Sequence, residues 1–360
     1  MPSIDKLKII NFRNLSEISL SPSRGVNLIY GRNGSGKTSL LEALYVMSSG
    51  KSFRSALVDP LIKAGEPEAT VYVCTGENAK FGLSKRRHNK TQLRVNGENQ
   101  KNWDQVARAL PVLVIDSGAF ELLEGGPRTR RRFLDWGVFH VEPTFLENWR
   151  RTVKCLSNRN SLLKSGLSNS DELRAWDVEL SIVAHAVDKA RAAYFAELLP
   201  LFERIYTQLV GGHTHLSVEY KRGWPEGGAL EEWLLVNRAI DMRYGSTQAG
   251  PHRADLEMKV GRRKATERLS RGQAKLVVCA LKIAQGELLS AAVGQRCLYL
   301  VDDLPAELDS LNRKRVMEHL LTLGSQLFVT SVDAEAVDLN EFQKAETARF
   351  HVERGIIMSK

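Results

Sequence analysis

The fold of this chain is decided by the stretch Gly31-Arg32-Asn33-Gly34-Ser35-Gly36-Lys37-Thr38, which fits the pattern G-x-x-x-x-G-K-[ST]. An apolar run, Val26-Asn27-Leu28-Ile29-Tyr30, precedes it, and the helix-forming run Leu40-Leu41-Glu42-Ala43-Leu44 follows it. This order predicts a buried strand, a glycine-rich loop and a helix. The inward N–H groups of the loop and the positive end of the helix would hold an anion. An ordinary glycine-rich turn is the alternative, which both flanks disfavour.

The residue types of this loop predict that the anion is a nucleoside triphosphate bound with Mg²⁺. Lys37 would reach the β- and γ-phosphates of ATP, and Thr38 would offer its hydroxyl to Mg²⁺. The predicted nucleotide-binding residues continue into the first helical turn: Gly31, Arg32, Asn33, Gly34, Ser35, Gly36, Lys37, Thr38 and Ser39.

The composition is typical of a soluble globular protein, because 43% of the 360 residues are apolar and 26% are charged. This length allows two domains, or one domain with a large insertion. No stretch approaches the ~20 uninterrupted apolar residues of a membrane span. The opening Met1-Pro2-Ser3-Ile4-Asp5-Lys6 lacks the apolar core of a signal peptide. We therefore expect a cytoplasmic protein with no membrane partner.

The cysteines predict neither a zinc site nor a disulfide framework, because the four of them lie far apart and form no C-x-x-C pair. The net charge of +9 is a mild indication of a polyanionic partner.

Two clusters of basic residues are more informative than the net charge. Residues 82–94 contain five Lys or Arg and no acid, and Lys85, Arg86, Arg87 and Lys90 lie among them. The run Arg128-Thr129-Arg130-Arg131-Arg132 is the second cluster. Both could neutralise DNA phosphates without reading the base sequence. The alternative for the first cluster is a solvated hairpin tip. The alternative for the second, which contains Arg130 and Arg131, is a structural role that ties the arm to the head through carboxylates.

Strand patterns occur toward both ends of the chain and vanish between about 120 and 210. Apolar residues recur there at helical spacing from Leu173 to Leu209, which predicts a long helix that Pro200 should kink or break. An earlier helix near 141–164 would complete an antiparallel helical hairpin. The predicted fold class is therefore α/β with an inserted helical arm.

Shorter patterns predict the arrangement of the strands. Residues 70–74 and 92–97 are predicted to be strands of an antiparallel ribbon, with Asn96-Gly97 as a turn. A strand at 326–329 follows a helix near 312–323 and should complete a βαβ crossover. A closing hairpin is predicted at 349–357.

A second chemical signal is the pair Asp302-Asp303, which follows the apolar strand Cys297-Leu298-Tyr299-Leu300-Val301. Two adjacent acids at the end of a buried strand are costly without a cation to receive them. We predict Asp302 as a metal-side carboxylate beside Thr38, and Asp303 as the general base or water-orienting group. Capping of the next helix is the alternative, which explains one Asp better than two.

Two further stretches complete a pattern of motifs. Leu269-Ser270-Arg271-Gly272-Gln273 opens a helical run, and Ala306-Glu307-Leu308-Asp309 follows the two acids. A Ser at a helix start is ordinarily only an N-cap. In this order, however, the motifs resemble the signature motif and aspartate loop of ABC-type ATPases. That resemblance implies that Ser270, Gly272 and Gln273 contact the nucleotide held by a second protomer, with Ser270 and Asp309 acting in catalysis.

The separation between the motifs indicates which branch of the ABC-type ATPases the chain resembles. Ser270 lies 233 residues after Lys37, which is longer than the separation in a compact transporter head. A helical arm in that gap is similar to the chromosome-maintenance and recombination branch. The segments 120–135, 246–255 and 302–309 resemble three signature blocks of the RecF family, and the resemblance extends from Leu7 to Gly355. It implies an ABC-type P-loop head, with lobes at 1–118 and 244–360 and an arm at 119–243.

The resemblance also implies a function. The expected activity is a slow, DNA-stimulated ATPase of recombinational repair and replication-fork maintenance, which forms an ATP-dependent homodimer. The implied partners are single- and double-stranded DNA and mediator proteins of the RecR and RecO types, with recombinase loading at single-strand gaps as the outcome.

Two departures and two rivals accompany this interpretation. No histidine follows the strand that ends Phe328-Val329-Thr330-Ser331, where transporter heads carry a switch histidine, and Arg271 stands where many heads have glycine.

The ATP-binding subunit of a membrane transporter is the first rival function, which the long insertion and the excess of basic residues disfavour. A nuclease fused to such a head is the second, but no carboxylate-rich metal domain follows the second lobe.

Overall fold

Strands dominate the N- and C-terminal parts of the chain and helices dominate its middle. A computed structural model describes residues 3–54, 59–87, 90–165, 171–211, 216–303, 308–335 and 345–359. The strands are β1 (Ile4–Ile10), β2 (Glu17–Leu20), β3 (Val26–Tyr30), β4 (Glu68–Thr75), β5 (Lys80–Arg86), β6 (Lys90–Val95), β7 (Glu98–Gln100), β8 (Val112–Ile115), β9 (Leu216–Lys221), β10 (Asp255–Val260), β11 (Arg263–Lys264), β12 (Leu298–Val301), β13 (Gln326–Ser331), β14 (Thr347–Glu353) and β15 (Ile356–Ser359). The helices are α1 (Lys37–Ser49), α2 (Asp104–Ala109), α3 (Glu121–Glu124), α4 (Pro127–Val141), α5 (Phe145–Lys164), α6 (Asp171–Val210), α7 (Leu230–Val236), α8 (Arg238–Tyr244), α9 (Arg271–Val293) and α10 (Ser310–Thr322).

The chain divides into two compact units. The first contains Met1–Ala119 with Lys275–Lys360, and the second contains Phe120–Ala274. The first division lies one residue from the boundary expected at 118/119. The second lies well after the boundary expected at 243/244, because β10 pairs along its length with β9 and so groups with the helical unit.

A largely parallel sheet carries the phosphate loop in the first unit. Its strand order is β15-β14-β3-β13-β12-β8, and β15 alone of these six pairs antiparallel to its neighbour. The central strands β3, β12 and β13 are buried almost throughout, as expected for parallel strands covered on both faces. The predicted crossover is confirmed, because β12, α10 and β13 follow one another and the two strands pair in parallel.

An antiparallel sheet forms the other layer of this unit, with the order β2-β1-β4-β5-β6-β7. The strands predicted at 70–74 and 92–97 are present, but β5 lies between them, so they do not pair directly. Asn96 and Gly97, with φ of 51° and 91°, make the predicted turn, which joins β6 to β7. Helix α1 buries Leu40 and Leu44 in one core with residues of both sheets.

In the second unit, α5 and α6 form the predicted antiparallel hairpin. Arg151 of α5 pairs with Glu179 and the later Arg159 pairs with the earlier Asp177, so the two helices run in opposite directions. Pro200 does not break α6. Its ring removes a backbone N–H, but Pro200 and the residue four positions earlier are both exposed, so water can satisfy the free carbonyl.

Buried ion pairs hold the segment 246–255 in this unit. Arg159 is fully buried and donates to Asp241 at 2.7 Å and to the Thr247 hydroxyl at 2.8 Å. Arg191 is equally buried, and it donates to the Pro251 carbonyl at 2.7 Å. Because a buried cation without a partner is very costly, these contacts fix the segment in place.

Helix α9 is long and apolar enough to cross a membrane by length and composition, and among the described residues it is the one helix of that kind. Within its most apolar window, 67% is buried inside the protein, as in the core helix of a globular domain.

Candidate functional site

The phosphate loop has the conformation that its glycines predict. Gly31, Gly34 and Gly36 have φ of 151°, 78° and 121°, and α1 begins directly after them at Lys37. A Cβ atom on Gly31 would lie 2.2 Å from the Val352 carbonyl oxygen, so no larger residue fits there. The loop therefore depends on glycine both for its backbone angles and for its close approach to β14.

Two segments distant in sequence support the loop. The Asn14 side chain donates to the Gly34 carbonyl at 2.9 Å and accepts from the Ser39 hydroxyl at 2.8 Å. The backbone N–H of Gly355, in the β14–β15 turn, donates to the Ser35 carbonyl at 3.0 Å. Sequence reasoning missed both residues, since nothing in a loop motif shows which side chains will reach it. For Asn14, the signal that could have predicted this contact was its position just after a strand.

Lys37 lies over the loop in the position expected of a phosphate ligand. Its ammonium donates to the carbonyls of Gly31 at 2.6 Å and Arg32 at 3.1 Å. Burial lowers the pKa of Lys37, while Asp303 and Asp302 act in the opposite direction. Charged phosphate oxygens are stronger acceptors than these neutral carbonyls, so the ammonium can exchange to a bound nucleotide.

The two predicted acids meet the loop through hydroxyl groups. Thr38 donates to Oδ1 of Asp302 at 3.0 Å, and Thr330 of β13 donates to the same oxygen at 2.7 Å. The backbone N–H of Asp303 donates to the Thr330 hydroxyl at 2.8 Å. Asp303 has φ of 51°, in the left-handed region that few residues other than glycine occupy. Residues predicted from separate motifs therefore converge at the mouth of the loop, and Thr330 joins them without having been predicted.

The donor set at this mouth fits Mg²⁺. The Thr38 hydroxyl and the Asp302 carboxylate are both hard oxygen ligands, and their contact at 3.0 Å lets one ion reach both. In the part of the chain that the structure describes, no cluster of three or more His, Cys, Asp or Glu could hold a metal ion. Mg²⁺ commonly takes one or two protein ligands and completes its shell with phosphates and water.

The signature residues form a reciprocal helix cap at the start of α9. The backbone N–H of Ser270 donates to Oε1 of Gln273 at 3.0 Å, and the backbone N–H of Gln273 donates to the Ser270 hydroxyl at 3.2 Å. Ser270 and Gly272 are exposed, and both belong to the unit Phe120–Ala274, whereas the phosphate loop belongs to the other unit.

Asp309 caps helix α10. Its carboxylate accepts from the Asn312 backbone N–H at 2.9 Å and from the Asn312 side chain at 2.7 Å. These hydrogen bonds, the backbone one foremost, lower the pKa of Asp309. Residues 306 and 307 of the predicted aspartate loop lie outside the described residues. A structural role thus accounts for Asp309, and its catalytic role stays a prediction.

The basic residue Lys85 points inward. It is only 4% exposed, its ammonium donates to the Gly50 carbonyl at 3.2 Å, and it lies 5.7 Å from the centre of the Trp103 ring. Burial lowers the pKa of Lys85. The Lys85 ammonium, which was predicted to contact a DNA phosphate, is therefore hydrogen-bonded at the C-terminal end of α1.

Its neighbours Arg86 and Arg87 face solvent. Arg86 donates to Glu68 at 2.7 Å, in a pair whose side chains are 60% and 38% exposed. Arg87 donates to the Glu66 carbonyl at 3.0 Å. The side chain of Lys90 lies outside the described residues. Exposed pairs of this kind contribute little to stability, so a DNA phosphate can replace the carboxylate.

Arg130 and Arg131 bind within their own unit. Arg130 makes two hydrogen bonds to the Asp255 carboxylate, at 2.6 and 2.9 Å, and one to the Gly125 carbonyl at 2.6 Å. Arg131 donates to the Ala254 carbonyl at 2.7 Å, and burial foremost lowers its pKa. The carboxylate contact of Arg130 agrees with the structural alternative, whereas Arg131 contacts a backbone carbonyl instead. The DNA contact of both residues stays a prediction.

Comparisons with known proteins agree with this arrangement. The family model of the RecF/RecN/SMC N terminal domain matches residues 3–352. The DNA replication and repair protein RecF of Pseudomonas syringae pv. tomato is 42% identical over 359 residues, which cover 99% of this chain and 98% of that protein. RecF of Pseudomonas putida is 44% identical over 361 residues, with coverage of 99% and 98%.

Solved structures give the same result. A structure of the recombination mediator protein RecF with ATP, in the RecFOR pathway, has a TM-score of 0.87 at 26% identity and covers 99% of this chain and 97% of that chain. An Smc head domain from Pyrococcus furiosus has a TM-score of 0.61 at 18% identity, covers 100% of this chain and 96% of its own, and supports the fold alone. The predicted ABC-type head fold and family resemblance are thereby confirmed, and the chain belongs to the RecF family.

Proposed function

We propose that this chain is a DNA-binding ATPase of recombinational repair and replication-fork maintenance. The observation that carries the proposal is the 3.0 Å contact between the Thr38 hydroxyl and the Asp302 carboxylate beside a complete phosphate loop. A role in DNA repair is supported by relatives that are named DNA replication and repair proteins. ATP binding is supported by the structure of RecF with ATP.

In this proposal the chain's own groups bind ATP and orient its γ-phosphate. The backbone N–H groups from Gly31 to Thr38 receive the phosphates, and the Lys37 ammonium moves from the loop carbonyls to the β- and γ-phosphates. Thr38 and Asp302 would hold Mg²⁺, which would supply positive charge to neutralise the phosphates. Asp303 orients the attacking water and accepts its proton.

Closure of the site requires a second copy of the chain. Ser270, Gly272 and Gln273 form an exposed helix start, and such a start offers backbone N–H groups and a partial positive charge to an anion. We propose that this start meets the γ-phosphate held by the partner protomer, so ATP drives head-to-tail dimerisation. Asp309 would act at the same interface.

DNA would bind through backbone phosphates, with Arg86, Arg87 and Lys90 as the first candidate contacts. We further propose that DNA stimulates a slow hydrolysis, and that the dimer works in the cytoplasm, without a membrane, alongside mediator proteins of the RecR and RecO types at single-strand gaps. The pathway named for the structural relative supports this set of partners. A transporter subunit finds no support among the relatives.

Analytical sedimentation tests the proposal, with and without ATP and with short gapped duplexes. We expect a monomer without nucleotide, a dimer with ATP, and co-sedimentation of the dimer with gapped DNA. Lys37→Met is the reference variant, because it removes the cation on the γ-phosphate and should lose dimerisation and turnover while staying folded. Wild-type turnover by Lys37→Met would refute the proposed site.

A further inference from the structure

Thr330 connects the two acids of the candidate site and is itself fully buried. Its hydroxyl donates to Oδ1 of Asp302 at 2.7 Å and accepts from the backbone N–H of Asp303 at 2.8 Å. We propose that Thr330 is a positioning residue for ATP hydrolysis, which holds the Asp302 carboxylate and the backbone of Asp303 in their working orientation. This inference rests on the proposed function and adds a residue that the nucleotide motifs do not contain.

The strand register explains why a side chain is needed at this point. Val301 is the last residue of β12 and pairs with Val329 of β13, so the backbone ladder between the two strands stops there. The next positions along the two strands are Asp302 and Thr330. The Thr330 hydroxyl continues the contact between the strands beyond the ladder, because it donates to the Asp302 carboxylate and accepts from the Asp303 N–H.

Asp303 requires this support because its backbone is in the left-handed region, with φ of 51°. A residue with a Cβ adopts that conformation at a cost in free energy, which surrounding contacts must offset. The hydrogen bond from its N–H to Thr330 is one such contact. The left-handed φ of Asp303 also ends the extended backbone of β12, in which successive side chains alternate between the two faces.

Thr330 also complements Thr38. Both hydroxyls donate to the same oxygen of Asp302, at 2.7 Å and 3.0 Å. In the proposed function Thr38 turns to Mg²⁺, so Thr330 is the donor that stays with Asp302 before and after nucleotide binding. The neighbouring Ser331 carbonyl accepts from the Gly31 N–H at 3.3 Å, which ties the same strand end to the start of the phosphate loop.

The test is Thr330→Val, which keeps the branched shape and removes the hydroxyl. Binding of a fluorescent ATP analogue is titrated with Mg²⁺ and, separately, measured in EDTA. Loss of a hydrogen bond to a metal-ligating carboxylate typically costs about 10- to 100-fold in metal affinity or activity. We therefore expect the Mg²⁺ concentration for half-maximal binding to rise about 10-fold and kcat to fall about 10- to 100-fold, with binding in EDTA unchanged. Thr330→Ser should restore both values.

Controls separate positioning from stability. Thr75→Val removes another buried threonine hydroxyl from a strand of the same unit, and it should leave the Mg²⁺ titration and kcat unchanged. If Thr330→Val does not fold, Thr330→Ala is read by the same measurements. A folded Thr330→Val or Thr330→Ala protein with wild-type Mg²⁺ dependence and kcat would overturn the inference. The proposed function fails separately, if Lys37→Met binds and hydrolyses ATP normally.

Discussion

At the scale of single residues, Asp302 and Asp303 are adjacent in sequence and have different surroundings. Asp302 accepts from the hydroxyls of Thr38 and Thr330, whereas Asp303 leaves the strand with a left-handed backbone. An oxygen shared with the phosphate loop suits a metal ligand. A left-handed backbone at the end of the strand, next to a candidate metal ligand, suits a residue that contacts a water molecule beside the γ-phosphate.

This difference predicts separable phenotypes for two conservative changes. Asp303→Asn keeps the shape and tolerates the left-handed backbone, since asparagine adopts it readily. It should bind Mg-ATP and accumulate a long-lived dimer, while kcat falls by about 10²- to 10⁴-fold, the usual contribution of a general base. Asp302→Asn should weaken Mg-ATP binding itself. Equilibrium binding and sedimentation compare the two, and identical phenotypes would remove the basis for separate roles.

At the scale of elements, strand alternation decides the use of the basic residues on β5. Phe81, Leu83 and Lys85 alternate along the strand and are all buried, and Arg86 lies on the opposite face. Lys85 thus reaches the C-terminal end of the phosphate helix α1, where an ammonium interacts favourably with the helix dipole.

Stability and DNA binding should therefore respond to different residues of β5. Lys85→Ala removes the buried apolar stem together with the hydrogen bond to the Gly50 carbonyl, so it should lower the free energy of unfolding by ~1–2 kcal/mol without changing the salt dependence of DNA binding. Charge reversal of Arg86 and Arg87 together should leave stability within about 0.5 kcal/mol. It should flatten the salt dependence by ~0.9 log units for each DNA phosphate that the variant no longer neutralises. Denaturant unfolding and salt-titrated DNA binding measure the two effects. An unchanged salt slope would mean that the β5–β6 tip is only solvated.

The C-terminal hairpin is a second element whose effect reaches the phosphate loop. Gly355 has φ of 78°, and a Cβ atom there would lie 2.1 Å from the Asn14 carbonyl oxygen. Gly355→Ala should lower the free energy of unfolding by ~2 kcal/mol or more and weaken ATP binding, because the Ser35 carbonyl loses a well-placed donor. Gly294→Ala is the matched control, since its φ is 69° and its surroundings are open. Equal ATP affinity in both variants would exclude support of the loop by the hairpin.

At the scale of the whole molecule, the exposed start of α9 predicts how two copies cooperate. Ser270→Arg leaves the phosphate loop untouched, so monomer affinity for ATP should stay nearly intact while ATP-driven dimerisation and hydrolysis are lost. Ala292→Arg places the same cation at an exposed position near the other end of α9, and it should behave as wild type.

A mixture of the Ser270→Arg and Lys37→Met proteins tests whether each nucleotide site is built from two chains. One site of each mixed dimer would combine an intact loop from one chain with an intact helix start from the other, so partial ATP-dependent association should reappear in the mixture. Sedimentation of each variant alone and of the mixture measures this. Normal dimerisation and turnover by Ser270→Arg alone would show that Ser270 is an ordinary helix cap.

The sequence by itself determined the features that depend on neighbours along the chain. The spacing from Gly31 to Thr38 between a strand and a helix specifies the loop locally, because glycine angles and helix starts are short-range properties. The apolar run before Asp302 predicted a strand that ends in acids, and the helical spacing after residue 171 predicted the long arm helix. The alternation of Phe81, Leu83 and Lys85 could also have predicted a buried Lys85, but the run of charges that follows favoured a solvated tip or a phosphate contact instead.

Only the tertiary structure decided which distant groups meet. Thr330 donates a hydrogen bond to Asp302, the Asn14 side chain donates to the Gly34 carbonyl, and the Gly355 N–H donates to the Ser35 carbonyl. Arg130 binds the Asp255 carboxylate. The contacts of Asn14, Gly355 and Arg130 depend on which turns and which helix the fold brings together. The Thr330 contact depends on the register of β13 against β12, and a shift of one residue would turn its side chain to the opposite face. Local patterns do not encode that register, because it is set by how the whole core packs.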